Sequence, residues 1–161
     1  MQPRAQAQIR GDYAPDAYLP GTHLVTARDG YFHHGIYVGR GRVIHYGGFC
    51  DALHAAPVEE ISLEAFAHGN PVTVKPEPFA RYLGAQAVHR ARSRLGEDRY
   101  HLLTNNCEHF CTWCVRGVAR SEQVEACIRH PREGMQVALL LLRRVLPSGL
   151  TIEAGTVASA A

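Results

Sequence analysis

Two glycine-marked turns, Asp29-Gly30 and Gly39-Arg40-Gly41-Arg42, divide the early chain into three short runs of strand-forming residues. The runs are His23-Leu24-Val25-Thr26, Tyr31 to Val38, and Val43-Ile44-His45-Tyr46. Connections this short cannot carry a parallel crossover, so residues 19–46 are read as an antiparallel meander opened by the turn Leu19-Pro20-Gly21. Helical patterns follow it, which makes the expected class α+β, a small antiparallel sheet packed against helices.

Beyond the meander the signals are uneven. Residues 47–78 are the least readable stretch, with a short helical turn at Ile61 to Phe66 opened by Ser62 and a strand at Pro71 to Lys75. A helix is expected over Phe79 to Leu95, with arginines at its carboxyl end and Gly96 closing it. A second starts at Asn105 or Asn106, either of which can cap it, and runs to about Arg116 before Gly117. Ser121 caps a third over 122–129, and Pro131 separates it from the apolar segment Met135 to Leu146. The organisation read from this is a flexible arm (1–17), a catalytic domain (18–118) and a carboxyl-terminal helical extension with a frayed tail (119–161).

The totals narrow the function classes. With 46% apolar and 20% charged residues, the 161-residue chain can bury a core of its own, which argues against disorder. A formal charge of +2 with no basic run gives no footprint for nucleic acid. The amino-terminal residues lack the apolar segment of a signal peptide, and five cysteines are expected reduced. The apolar segment 135–146 is too short to span a bilayer. It is expected either to dock on the domain or to give peripheral membrane contact, its arginines toward anionic headgroups. The expected compartment is therefore cytoplasmic, and peripheral at a membrane surface if segment 135–146 makes that contact.

Cys107 is the residue with the clearest chemical setting. Only a thiolate is a good nucleophile, and a helix amino terminus, an adjacent imidazole and backbone donors favour it. If Asn105 or Asn106 caps the helix, Cys107 lies in the first turn, where unpaired N–H groups could also hold an oxyanion. The base must come from elsewhere among ten histidines. His33 and His45 flank one hairpin, and register decides their relation. A plain two-residue loop at Arg40-Gly41 sends the two rings to opposite faces, whereas a bulge using Gly39 or Gly41 brings them to one face as diagonal neighbours.

Phe32-His33-His34-Gly35-Ile36-Tyr37-Val38-Gly39, followed by Val43-Ile44-His45, resembles the double-histidine hairpin of the lecithin retinol acyltransferase-like (LRAT domain) family. Asn106-Cys107-Glu108-His109-Phe110 resembles that family's nucleophile motif, a permuted relative of NlpC-like, papain-like cysteine peptidases. The likeness spans about residues 19–118. It implies a permuted papain-like fold in which Cys107 forms a thioester, His33 is general base and then acid, and His45 orients it. It also implies a lipid or acyl-ester substrate with water, an amine or an alcohol as acceptor, and no cofactor. The family often has a bulky aromatic where this chain has His34. Neighbouring strand residues face opposite ways, so only one of His33 and His34 can aim at Cys107, and position relative to Ile36-Tyr37-Val38-Gly39 favours His33.

Cys107, Cys111 and Cys114 at helical spacing, with His109 nearby, invite a zinc reading, but a structural site needs a second ligand pair that the chain does not offer. No metal is expected, and Glu108 and His109 are assigned structural roles. The leading function is a thiol-dependent acyltransferase or hydrolase. A cysteine amidase or peptidase using the same pair, and a binding module that keeps the fold, are the alternatives.

Overall fold

The computed structural model describes residues 18–48 and 56–132. Its elements are β1 (His23–Arg28), β2 (Tyr31–Gly39), β3 (Arg42–Gly48), β4 (Ala56–Ser62), α1 (Leu63–Ala67), β5 (Val72–Val74), α2 (Ala85–Arg92), α3 (Cys107–Arg116) and α4 (Glu122–Arg129). The five strands form one antiparallel sheet in the order β4-β3-β2-β1-β5. The expected α+β class and the meander both hold. The arm (1–17) and the apolar segment 135–146 lie outside the described residues.

The decisive local event is in the second hairpin. Gly35 pairs with His45, Ile36 with Ile44 and Tyr37 with Val43, but Gly39 pairs with Arg42, so a bulge lies between Tyr37 and Gly39. Gly39 and Gly41 take φ of 94° and 65°, and Arg40 between them also has positive φ. The extra residue restores even pairing sums across β2 and β3. His33 and His45 therefore share a face, as the bulged alternative required.

That face carries Leu24, Tyr37 and Val43, closed over by Leu63 and Phe66 of α1. Ser62 caps α1 by accepting from the Ala65 N–H. The opposite face carries Ile36, Ile44, Tyr46 and Val58, and packs against Ala87 and Ala91 of α2 and Phe110, Cys111, Cys114 and Val115 of α3. Strand alternation thus splits the core into two layers on one sheet.

One expectation needs correction, and one element had not been read. The helix expected from Phe79 begins only at Ala85. Before it, the Arg81 and Tyr82 N–H groups both donate to the Val115 carbonyl, tying this stretch to the end of α3 instead of to its own helix. Gly84, at φ 51°, makes the transition. A Cβ on Gly21 would lie 2.6 Å from the Gly84 oxygen, so the opening turn of the sheet rests directly on that point. The unread element is β4, an edge strand within the least readable stretch. Each of its faces mixes an acidic with an apolar residue, Glu59 with Ile61 and Val58 with Glu60, so no alternation marks it.

Candidate active site

The chain turns into α3 at Asn106. Its side-chain oxygen accepts from the Glu108 and His109 N–H groups, both at 3.0 Å, and its own N–H donates to His109 Nδ1 at 3.3 Å. His109 is thus half of a capping box, the structural role expected of it. The Asn106 amide also donates to the Leu102 carbonyl at 2.8 Å. Asn106→Ala is expected to lower unfolding stability by about 1–2 kcal/mol, measured by urea denaturation, because the cap and a buried donor are lost together. An unchanged midpoint would remove Asn106 from the architecture of the helix start.

Cys107 is the first residue of α3 and is buried. Of the first-turn N–H groups, those of Glu108 and His109 are taken by the Asn106 cap. Cys111 and Cys114 are packed into the core, where burial raises both thiols, Cys114 to about 12. Among the described residues no group of three or more His, Cys, Asp or Glu side chains is arranged to hold a metal.

Two imidazole pairs stand back to back across the sheet. On the α1 side His33 Nε2 meets His45 Nδ1 at 2.7 Å, with the rings edge to face at 4.9 Å. Phe66 packs on both. His33 and His45 line a cavity of about 500 Å3 together with Arg28, Glu59, Ile61 and His68. Burial holds both neutral: His33 is pushed well below 6.5, helped by His45 and Arg28, and His45 falls to about 4, helped by Arg28. Among the described residues His33 makes no hydrogen bond through Nδ1.

On the α3 side Glu77 Oε1 meets His23 Nδ1 at 2.6 Å, and His23 Nε2 meets His34 Nδ1 at 2.8 Å. His34 Nε2 meets the Gln123 amide at 3.1 Å. A carboxylate only accepts, so His23 donates from Nδ1, His34 donates from Nδ1 to His23 Nε2, and Gln123 donates to His34 Nε2. Both rings are satisfied as neutral imidazoles, in keeping with the fall that burial causes in each. Gln123 also exchanges two hydrogen bonds with the Phe32 backbone, at 2.7 and 3.1 Å. Glu108, fully buried, accepts from Ser121, the Gln123 N–H and Lys75. Lys75 reaches Glu122, and Arg116 joins Glu122 back to Glu77. This ring locks α4 onto the sheet and the start of α3. Glu77, Gln123 and Glu59 had no motif to mark them, and His23 was legible only as part of the opening strand, since each matters through a partner distant in sequence.

His33 and His45 are therefore together, as expected, while Cys107 belongs to the layer on the other side of the sheet. The β2 imidazole on the α3 side is His34, reversing the expected preference for His33. The physical reason is alternation: in this register residues 33 and 34 cannot share a face, and Ile36, two residues beyond His34, is committed to α3.

Comparison with known sequences places the chain. The sequence model of the lecithin retinol acyltransferase family matches residues 16–120. Lecithin retinol acyltransferase of Mus musculus is 28% identical over 178 residues, covering 86% of this chain and 74% of the relative. The enzyme of the same name from Homo sapiens is 30% identical, covering 82% and 69%. Phospholipase A and acyltransferase 2 of Homo sapiens is 32% identical, covering 67% and 76%. The match includes both histidine pairs and the whole of α3, and the chain belongs to the lecithin retinol acyltransferase family.

Proposed function

We propose that this protein transfers an acyl group from a lipid ester through a thioester on Cys107, with His33 as base and His45 orienting it. At the coarser level, membership of a family of acyltransferases and phospholipases supports an enzyme acting on acyl lipids. The observation that carries the finer reading is the 2.7 Å His33–His45 bond, which among the described residues leaves Nδ1 of His33 as the imidazole nitrogen of the two β2 histidines without a hydrogen bond. A base needs one nitrogen oriented and the other available.

In this mechanism His33 Nδ1 takes the thiol proton as sulfur attacks the ester carbonyl. The tetrahedral intermediate collapses, the C–O bond breaks, and the imidazolium returns the proton to the leaving alcohol. Water, an amine or another alcohol, deprotonated by His33, then attacks the thioester and restores the thiol. Since Cys107 lies across the sheet, this reading requires a rearrangement that brings the sulfur to Nδ1 of His33 with the His33–His45 bond intact.

A second reading is favoured by the side of the sheet on which His34 stands. There His34 is the base, backed by His23 and Glu77, and Gln123 must leave its Nε2.

Incubation with a mixed phospholipid extract, followed by intact-mass measurement, tests what both readings share. The expected result is an acyl adduct that vanishes in Cys107→Ser. Phospholipid turnover that survives in Cys107→Ser would overturn the thiol mechanism.

A further inference from the structure

We infer that Glu59 is a positioning residue for His33, its carboxylate closing on His45 Nε2 to complete a Glu59–His45–His33 chain. The assignment rests on His33 acting as the base. Glu59 lies directly opposite His45 in the β3–β4 register, on the same face, and both line the cavity beneath α1. Among the described residues, His45 Nε2 is the buried side-chain atom left without a hydrogen bond, and Glu59 Oε1 stands 3.4 Å from it. Burying a polar nitrogen without a partner costs about 1–3 kcal/mol, so the carboxylate has a reason to close the remaining gap. It has the freedom to do so, because the Glu59 side chain is 45% exposed on an edge strand.

The tautomers agree. For His33 to accept a proton at Nδ1, its own proton must sit on Nε2 and point to His45 Nδ1. His45 then carries its proton on Nε2, aimed at Glu59. When His33 becomes an imidazolium, the carboxylate at the far end of the chain stabilises the positive charge, and Arg28 opposes it. The other charged or titratable groups around the pair are His34 on the neighbouring strand position and Asp29 and His68 on the cavity wall. The molecule already contains this arrangement in its closed form, Glu77–His23–His34 at 2.6 and 2.8 Å, on the opposite face. There the terminal nitrogen is occupied by Gln123, whereas the Glu59 chain ends on an Nδ1 that makes no hydrogen bond among the described residues.

Glu59→Gln keeps the shape and removes the charge. It is expected to lower kcat about tenfold with KM within about twofold, and to move the acidic limb of the kcat/KM profile to lower pH. Glu59→Asp should recover part of both. A second measurement does not need turnover: in Cys107→Ser, with 15N-labelled histidine, the ring titration of His45 should move to lower pH when Glu59→Gln is added. Ring titrations and an acidic limb unmoved by Glu59→Gln would overturn the chain. An absent Cys107 adduct with a moved titration would instead overturn the acyl-transfer reading and leave the carboxylate–imidazole pair standing.

Discussion

His33→Ala is expected to lower kcat/KM for acyl release by about a thousandfold, near 4 kcal/mol of barrier, with a melting temperature close to that of the unaltered protein. Among the described residues the His33 side chain hydrogen-bonds to His45, and it borders a cavity that water can enter on its removal. His34→Ala should behave differently. It strips His23 Nε2 of its donor and Gln123 of one of its acceptors inside a buried ring, at a cost of about 2–4 kcal/mol in stability. Because α4 is held to the sheet through that ring, the His34→Ala protein should also lose protection of the Gln123 amide to hydrogen exchange. Turnover per folded molecule, with stability measured in parallel, separates the readings. If folded His34→Ala is inactive while His33→Ala turns over normally, the base is His34 and the α1-side pair has no part in the chemistry.

Acid should unfold this protein earlier than its carboxylates alone would dictate. Three imidazoles, His33, His34 and His45, have folded-state values pushed below the 6.5 of the unfolded chain, burial being the main cause in each, and His23 shifts the same way. The unfolded chain therefore binds protons that the folded one refuses. The stability from keeping these rings neutral is full above pH 6.5 and is lost as pH falls toward the folded-state values. One unit below 6.5, each neutral imidazole costs about 1.4 kcal/mol, so the three together cost about 4 kcal/mol at pH 5.5. Set against the 5–15 kcal/mol typical of a domain, that is a large share. Urea denaturation at pH 7.5 and 5.5 should show the loss as a lower midpoint at unchanged slope. Equal midpoints would mean that the imidazoles take up protons in the folded state and that the neutral pairs are misassigned.

The capping residues show how far local sequence reached. Ser62, Asn106 and Ser121 each lie at the start of a helix, with their side-chain oxygens on the N–H groups expected. A cap is a contact over two or three residues, so its chemistry is written in adjacent letters. The turns Asp29-Gly30 and Arg40-Gly41 were equally legible, since positive φ is a property of single residues. Helix α2 shows the limit. The residues before it have a helical pattern, but their N–H groups find the Val115 carbonyl, a partner more than thirty positions away.

For the candidate site, the residues were readable and the geometry was not. The sequence alone supplied a cysteine at a capped helix start, two histidines flanking a hairpin, and a condition, a glycine bulge, under which those histidines would meet. Tertiary structure decided that the bulge forms, that it turns His33 and His45 toward α1 and His34 toward α3, and that Glu59 and Glu77 stand behind the two pairs. Strand alternation has a period of two, so one inserted residue exchanges the faces of everything beyond it. Which exchange prevails depends on how Phe66 on one side and Phe110 on the other bury against the sheet, and that sum runs over both layers of the core, beyond the reach of any local stretch of chain.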